Sequence, residues 1–362
     1  MRSLKNMGMG ALVATLLACA SPSRAVVEPR SEGAPSQGTG RLSIHNADPS
    51  IIWVGDTYVA VESNDDRLYV RRADSMAGLS DAAREQIWDN PQNLSEVWAP
   101  EIIQSGATYY VYFAAGEMSD MRMHVIQSRS PASGYSAAVR MALPDDRWAI
   151  DGTAFPYKGQ WYFVWSGWEG DRNGEQTLYL ARMSDPTHVT GPRSVLSQPR
   201  EAWERVDVNP PTRVNEGPQP IVDPNGQLHI VYSANGSWDV NYCLADLRLK
   251  VDGNPIQVGD WYKSNGCLFG AARATLMSGW EPTLRAKGVG HLSFALPDGD
   301  PNTPTPAGTP LPMAYHGVAR EDQPHPFWSG RFWYAGTFEW WGDVTYSRGD
   351  ARDTGWSLKF HE

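Results

Sequence analysis

Asp151-Gly152-Thr153-Ala154-Phe155-Pro156-Tyr157-Lys158-Gly159-Gln160-Trp161-Tyr162-Phe163-Val164-Trp165 joins an acidic residue, a short apolar run, a glycine turn and an aromatic run in one stretch. The aromatic run has the texture of a strand buried on both faces. The same order recurs along the chain. Asp48, in Ala47-Asp48-Pro49-Ser50-Ile51, is followed by Gly55 and Tyr58. Glu101 is followed by Gly106, Tyr109 and Tyr110, and Glu216, in Val214-Asn215-Glu216-Gly217-Pro218, by Gly226 and the run Leu228 to Tyr232. A looser copy starts near His291, with Pro297 to Gly299 in the turn place and Ala314-Tyr315-His316 near its end. Successive heads are 53, 50, 65 and 75 residues apart. Strand-rich repeats of that length predict an all-β, five-bladed propeller of four-stranded blades. Radial blades turn the starts of their inner strands toward one axis, so the heads should meet there. Converging carboxylates suit glycoside hydrolysis, which needs an acid, a base and a neighbour that separates their pKa values.

Five blades use nearly all of the 362 residues, so 41–362 is expected to be a single propeller. The formal net charge of −10 argues against nucleic acid and anionic substrates and suits a neutral one. The chain has 16 Trp and 15 Tyr against 9 Phe. Most serve core packing, but aromatics with a polar edge also suit the half-polar faces of sugar rings. No Gly-rich phosphate loop, nucleophile elbow or dinucleotide fingerprint is found.

Residues 1–25 read as an export signal, with Arg2 and Lys5 ahead of an apolar stretch from Met7 to Ala20 that is too short to span a bilayer. Ser23-Arg24-Ala25 fits an ordinary cleavage site. Leu16-Leu17-Ala18-Cys19 fits a lipobox, in which Cys19 would carry a lipid anchor. Residues 26–40, rich in Ser, Pro, Gly and charge, read as a flexible lead-in. The expected location is secreted or extracytoplasmic, with or without that anchor. Two cysteines then remain, Cys243 and Cys267, either bridged or buried as thiols.

Ile51 to Val54 and Tyr58 to Val61 flank Gly55-Asp56 as a hairpin. His124 to Ile126 and Leu178 to Ala181 read as later strands of their blades, and helical periodicity shows only around Ser80 to Ile87. Five prolines between Pro301 and Pro312 mark a loop insertion in the fifth blade. The aromatic end, Phe332 to Thr345, is expected to supply strands that close the ring.

In order, the segments Ala47-Asp48-Pro49-Ser50, Trp98-Ala99-Pro100-Glu101, Ala149-Ile150-Asp151-Gly152-Thr153, Val214-Asn215-Glu216-Gly217-Pro218 and Gly290-His291-Leu292-Ser293 resemble glycoside hydrolase family 43 over roughly Leu42 to Val318. The resemblance implies an inverting glycosidase acting on plant cell-wall pentose polymers. Asp48 would be the general base that activates water, and Glu216 the general acid. Asp151 would raise the acid's pKa and orient it. Trp98 would line the bound pentose, with Glu101, Trp165 and Trp168 also expected on the substrate. His291 would face the axial cavity near a hydrated cation, often calcium in relatives; Leu292 stands where relatives usually have Asn. No cofactor is required for the chemistry. Inversion needs base and acid carboxyls about 6.5–9.5 Å apart, leaving room for a water.

Ile150-Asp151-Gly152-Thr153 and Ser166-Gly167-Trp168-Glu169 resemble the arabinofuranosidases of that family. The expected substrate is therefore a neutral arabinan, arabinoxylan or derived oligosaccharide. A β-xylosidase or endo-arabinanase would share the three carboxylates and differ in its pocket walls. A non-catalytic sugar-binding propeller would have no need of an acid and base pair.

Overall fold

The structure, a computed structural model, describes residues 39–64, 66–206, 213–302 and 305–362. The expected export signal, the lipobox at Cys19 and nearly all of the lead-in lie outside them.

Three blades are separate four-stranded antiparallel sheets. Blade I is Ser50–Val54, Thr57–Asn64, Arg67–Ala73 and Glu85–Trp88. Blade II is Val97–Ser105, Thr108–Ala115, Arg122–Ser128 and Val139–Arg140. Blade III is Ala149–Tyr157, Gln160–Gly167, Thr177–Asp185 and His188–Ser197. Blade IV is Asn215–Val222, Leu228–Ala234, Cys243–Leu249 and Trp261–Lys263, and blade V is built on Ala286–Phe294, Leu311–Ala319 and Arg331–Arg348. The last two blades are not separate sheets. Arg331–Arg348 outruns its blade, pairs back with Ala351–His361 and meets blade IV where Ser347 lies opposite Lys263. The aromatic end supplies a ring-closing strand, as expected, with Arg331 to Phe338 paired along Leu311 to Val318, and the other end of the described chain adds to it. Gly40–Arg41 pairs with Ala335 and Tyr334, so both ends of the described chain complete blade V.

Each junction between blades has its own hydrophobic cluster, which is why no single central core is needed. Val59 and Ile52 of blade I pack with Val111 and Phe113 of blade II. Tyr112 and Met123 meet Phe163 and Trp165 between blades II and III, and Phe155 and Val164 meet Ile230 and Tyr232 between III and IV. Leu244 and Val231 meet Leu292 and Tyr315 between IV and V. Leu42, Ala314 and Trp333 meet Ile51 and Tyr58 where the ring closes. The helical periodicity around Ser80 to Ile87 gives way to this packing. Ala77–Ser80 is one short 3-10 turn and Glu85–Trp88 an outer strand, with Trp88 opposite Leu68. Propensity over so few residues loses to a blade edge that can bury Ile87 and Trp88.

Cys243 and Cys267 form a disulfide across 24 residues, with Cα atoms 6.0 Å apart. The bridge ties the third strand of blade IV to the following loop. Replacing both cysteines by Ser is expected to lower the free energy of unfolding by about 3 kcal/mol, read from urea unfolding of oxidised and variant protein.

At or near the start of every inner strand a residue has a left-handed backbone: Asp48 (φ 51°) just ahead of blade I, then Ala99 (44°), Asp151 (55°), Gly217 (55°) and His291 (49°), with Gly288 (57°) as a second in blade V. In blades II to V the pairing register shifts at this point, as at a β-bulge. Four of these residues are not glycine, a strain of about 1–3 kcal/mol each that concentrates at functional sites. The structural repeat therefore equates Asp48, Asp151 and His291, with Glu216 one residue before its bulge. Glu101 is not the head of blade II, as its sequence position had implied. It lies two residues beyond Ala99 and lines an axial cavity of about 20 Å³ with Ser50, Thr153, Gln219 and Ser293, one polar side chain from each inner strand.

Candidate active site

The left-handed turns at the strand starts bring Asp48, Asp151, Glu216 and His291 toward one another around the axis. His291 is the hub. Its Nδ1 lies 3.3 Å from Asp48 Oδ1 and 3.9 Å from Asp151 Oδ2, and its Nε2 lies 3.1 Å from Glu101 Oε1. Its backbone N–H donates to Ser233 Oγ at 2.8 Å, which fixes the ring's origin. Burial opposes charge on this ring, but Asp48, Asp151 and Glu101 outweigh burial and push its pKa up to about 10. The hub is thus an imidazolium among carboxylates.

The three carboxylates titrate apart. Burial pushes Glu216 up to about 8, and the nearby Asp151 charge adds to the effect. Tyr242 Oη donates to Glu216 Oε1 at 2.9 Å and resists that rise without cancelling it. Burial also raises Asp151, to about 6, against the pull of His291. Asp151 Oδ2 accepts the Gly217 N–H at 2.9 Å, a bond that favours its charged form, so Glu216 keeps its proton to higher pH. Burial would raise Asp48 as well, but His291 and His316 hold it below the usual carboxylate range. Asp48 is also the most open, with 24% of its side chain exposed against 5% for Asp151. Near neutral pH the site holds a protonated Glu216, an ionised Asp151 and an ionised Asp48, the last with access to water. This is the division that glycoside hydrolysis uses.

A profile of the glycosyl hydrolases family 43 matches residues 42–341. The chain belongs to glycosyl hydrolases family 43. It is 31% identical over 270 residues to an extracellular exo-α-(1→5)-L-arabinofuranosidase of Streptomyces avermitilis, covering 71% of this chain and 53% of that one. It is 32% identical over 252 residues to α-L-arabinofuranosidase B of Pyricularia oryzae, covering 67% of this chain and 49% of that one. The chain thus spans about half the length of these two relatives. In fold it is similar to an α-L-arabinofuranosidase from Lactobacillus brevis, with a TM-score of 0.68 and 24% identity over 84% of this chain and 94% of that one. Solved family 43 structures of this kind carry the five-bladed propeller seen here.

Family 43 enzymes need no cofactor for catalysis. The structure supports no direct ligation of a cation by His291, because both ring nitrogens face carboxylates, Nδ1 at 3.3 Å from Asp48 and Nε2 at 3.1 Å from Glu101. Among the described residues no group of three or more His, Cys, Asp and Glu side chains is arranged to hold a metal.

The aromatic expectations divide. Trp98 is half-buried at the start of the blade II inner strand. Trp165 is a correction: it is 2% exposed, stacked on Tyr179 and packed against Phe163 between blades, with no face to offer a sugar. Its position in a continuous aromatic run could not reveal which face it turned to the neighbouring blade. Trp168 is 5% exposed, stacks on Trp148 at 4.6 Å and lines an open pocket of about 570 Å³ with Glu96, Glu117 and Asn173.

Two partners of the carboxylates carry no sequence signal of a role. Tyr242 is recognisable only by its bond to Glu216. His316 Nδ1 lies 3.1 Å from both the backbone N and Oδ1 of Asp48, and its ring stacks on Tyr242 at 5.6 Å. Burial holds His316 down to about 4, so it stays neutral and orients Asp48 without neutralising it.

Proposed function

We propose that this chain is an exported, inverting glycoside hydrolase that removes α-L-arabinofuranosyl residues from arabinan, arabinoxylan or their oligosaccharides. Asp48 is the base to water, Glu216 the acid to the leaving oxygen, and Asp151 the charge that keeps Glu216 protonated and oriented. Trp98 lines the sugar. The observation that carries the reading is the convergence of Asp48, Asp151 and the Glu216–Gly217 segment around His291, which pushes Glu216 up and holds Asp48 down. The arabinofuranosidase relatives support the choice of sugar, and two extracellular relatives support export.

Attack by water on the anomeric carbon passes its proton to Asp48 while the glycosidic oxygen takes the proton of Glu216. The positive ring that develops sits among Asp48 and Asp151, whose charges His291 balances before the reaction begins. The test is hydrolysis of nitrophenyl arabinofuranoside, nitrophenyl xyloside, linear arabinan and arabinoxylan. Arabinofuranoside should be the preferred aryl substrate; a preference for xyloside would move the enzyme to the β-xylosidases of the family, and inactivity on all four would leave a sugar-binding propeller.

Asp151→Asn is expected to move the basic limb of the kcat/KM profile to lower pH, by roughly one pH unit. The active form has Glu216 protonated, so activity falls as pH rises through the acid's pKa, near 8 in the parent. Removing the neighbouring negative charge makes Glu216 easier to ionise, and the fall begins earlier. A pH–rate profile on nitrophenyl arabinofuranoside checks the sign; a limb shifted upward would remove Asp151 from this role.

A further inference from the structure

Three tryptophans are strongly exposed among the described residues: Trp238 at 43%, Trp328 at 51% and Trp341 at 48%. Trp341 lies on the long C-terminal hairpin beneath the Lys359 ammonium, 4.4 Å from the ring. The other two stand on the catalytic face. The loop holding Trp238 leaves the second strand of blade IV at Ala234, which pairs with Asn215 beside Glu216. The loop holding Trp328 leaves the second strand of blade V at Ala319, opposite Ala286 at the start of the inner strand. Both loops therefore emerge at the end of the propeller where the carboxylates lie.

The two loops also close on one point of the blade V inner strand. A Cβ built on Gly288 would sit 2.6 Å from the Phe327 ring and 3.0 Å from the Asp239 carbonyl, so the neighbours of both tryptophans press on one glycine. Each loop is anchored beside one reacting carboxylate. The blade IV loop ends at Tyr242, whose hydroxyl is bonded to Glu216. In the blade V loop the Ser329 carbonyl lies 2.7 Å from His45 Nε2, and Trp333, just beyond the loop, donates from Nε1 to the Ala47 carbonyl ahead of Asp48. An acid must lie within hydrogen-bond reach of the oxygen it protonates. The sugar that leaves with that oxygen must then extend from Glu216, beside the loop that carries Trp238.

Resting on the glycosidase reading above, we propose that Trp238 and Trp328 form a stacking platform for the leaving-group portion of a neutral pentose chain, beyond the sugar that is cleaved. Flat rings with large open faces are the groups that bind sugars without charge, at low cost in side-chain entropy. Of the three, two lie on loops that emerge at the same end of the propeller as the carboxylates. A chain crossing from Glu216 toward the blade IV–V boundary would cover both. The platform makes the enzyme's preference depend on the length of what departs.

The experiment compares the full chain with Trp238→Ala, Trp328→Ala and the double variant. Substrates are nitrophenyl arabinofuranoside, whose leaving group is one aryl ring, and an α-(1→5)-linked arabino-oligosaccharide. The ratio of kcat/KM for the oligosaccharide to that for the aryl substrate should fall about three- to tenfold for each tryptophan. Trp238→Phe and Trp328→Phe should restore most of it, because a ring face returns. An unchanged ratio overturns the proposal, and so does an equal loss on both substrates, since the loops would then serve only to support Tyr242 and Asp48. Binding is measured in parallel on Asp48→Ala by calorimetry with arabinose and its oligomers. Affinity should tighten with chain length in Asp48→Ala and lose that dependence when Trp238→Ala and Trp328→Ala are added. If aryl arabinofuranoside is hydrolysed but length dependence survives without the tryptophans, the platform falls and the glycosidase reading stands. If no pentoside is hydrolysed, the glycosidase reading falls, and the calorimetric series alone decides the platform: absent or tryptophan-independent length dependence overturns it.

Discussion

Asp48→Ala is expected to lower kcat about 10³- to 10⁴-fold on aryl arabinofuranoside and on polysaccharide alike. The loss should not depend on the leaving group, because the base acts on water and not on the departing oxygen. No neighbour can substitute. His291 is charged by the carboxylates around it and has no lone pair to offer, and His316 is buried and already engaged with the Asp48 backbone. Asp151 is nearly closed to solvent and is occupied by the Gly217 N–H. Steady-state kinetics on both substrates, with circular dichroism to confirm the fold, make the check. A variant that kept activity within tenfold would remove Asp48 from its role. Proton NMR of the parent reaction belongs with this test. The released sugar should appear first with inverted anomeric configuration, whereas retention would mean a covalent intermediate and a nucleophile in place of a base to water.

Glu216→Ala should divide the substrates that Asp48→Ala does not. On arabinan or an oligosaccharide the leaving alkoxide is strongly basic, and removing the proton donor should cost about 10³- to 10⁴-fold in kcat. On nitrophenyl arabinofuranoside the phenolate leaves unaided, so the loss should be at least about tenfold smaller. The basic limb near pH 8 should also vanish from the variant's pH–rate profile, since the group that titrates there is gone. Equal losses on aryl and natural substrates, or a basic limb that persists, would assign the acid to another residue. Burial is the first cause of the raised pKa, so Glu216→Gln, which keeps the shape and the contact with Tyr242, isolates the missing proton from any collapse around a smaller side chain.

The repeat was legible because blade geometry imposes a sequence order. A left-handed head, an inner strand, a turn and a second strand follow one another in each blade, and Asp151 to Trp165 displays the whole unit. The hairpin at Gly55-Asp56 was legible for the same reason: Val54 and Thr57 pair directly across it. Glu101 was misaligned because a carboxylate at roughly the right interval looks like a head, while the position that matters is set by backbone conformation. Ala99, which holds the left-handed bulge, has no side chain that would mark it. Trp165 was misread because alternate residues of an aromatic strand face opposite neighbours, and sequence does not say which neighbour is sugar and which is Tyr179.

The sequence by itself determined the class of fold and the number of blades, and it marked the three carboxylates as candidates, since these depend on local order and on residue type. Tertiary structure alone decided how they are charged. A pKa depends on burial and on the distance to other charges, and Asp48, Asp151, Glu216 and His291 come from four blades, separated by up to 243 positions in sequence. Their approach at the axis makes His291 a cation, keeps Glu216 protonated and leaves Asp48 ionised. Tertiary structure also decided that Tyr242 and His316 belong to the site, and that the loops of Trp238 and Trp328 meet at Gly288. Ring closure brings such distant segments together, and no local pattern in the chain records which of them will touch.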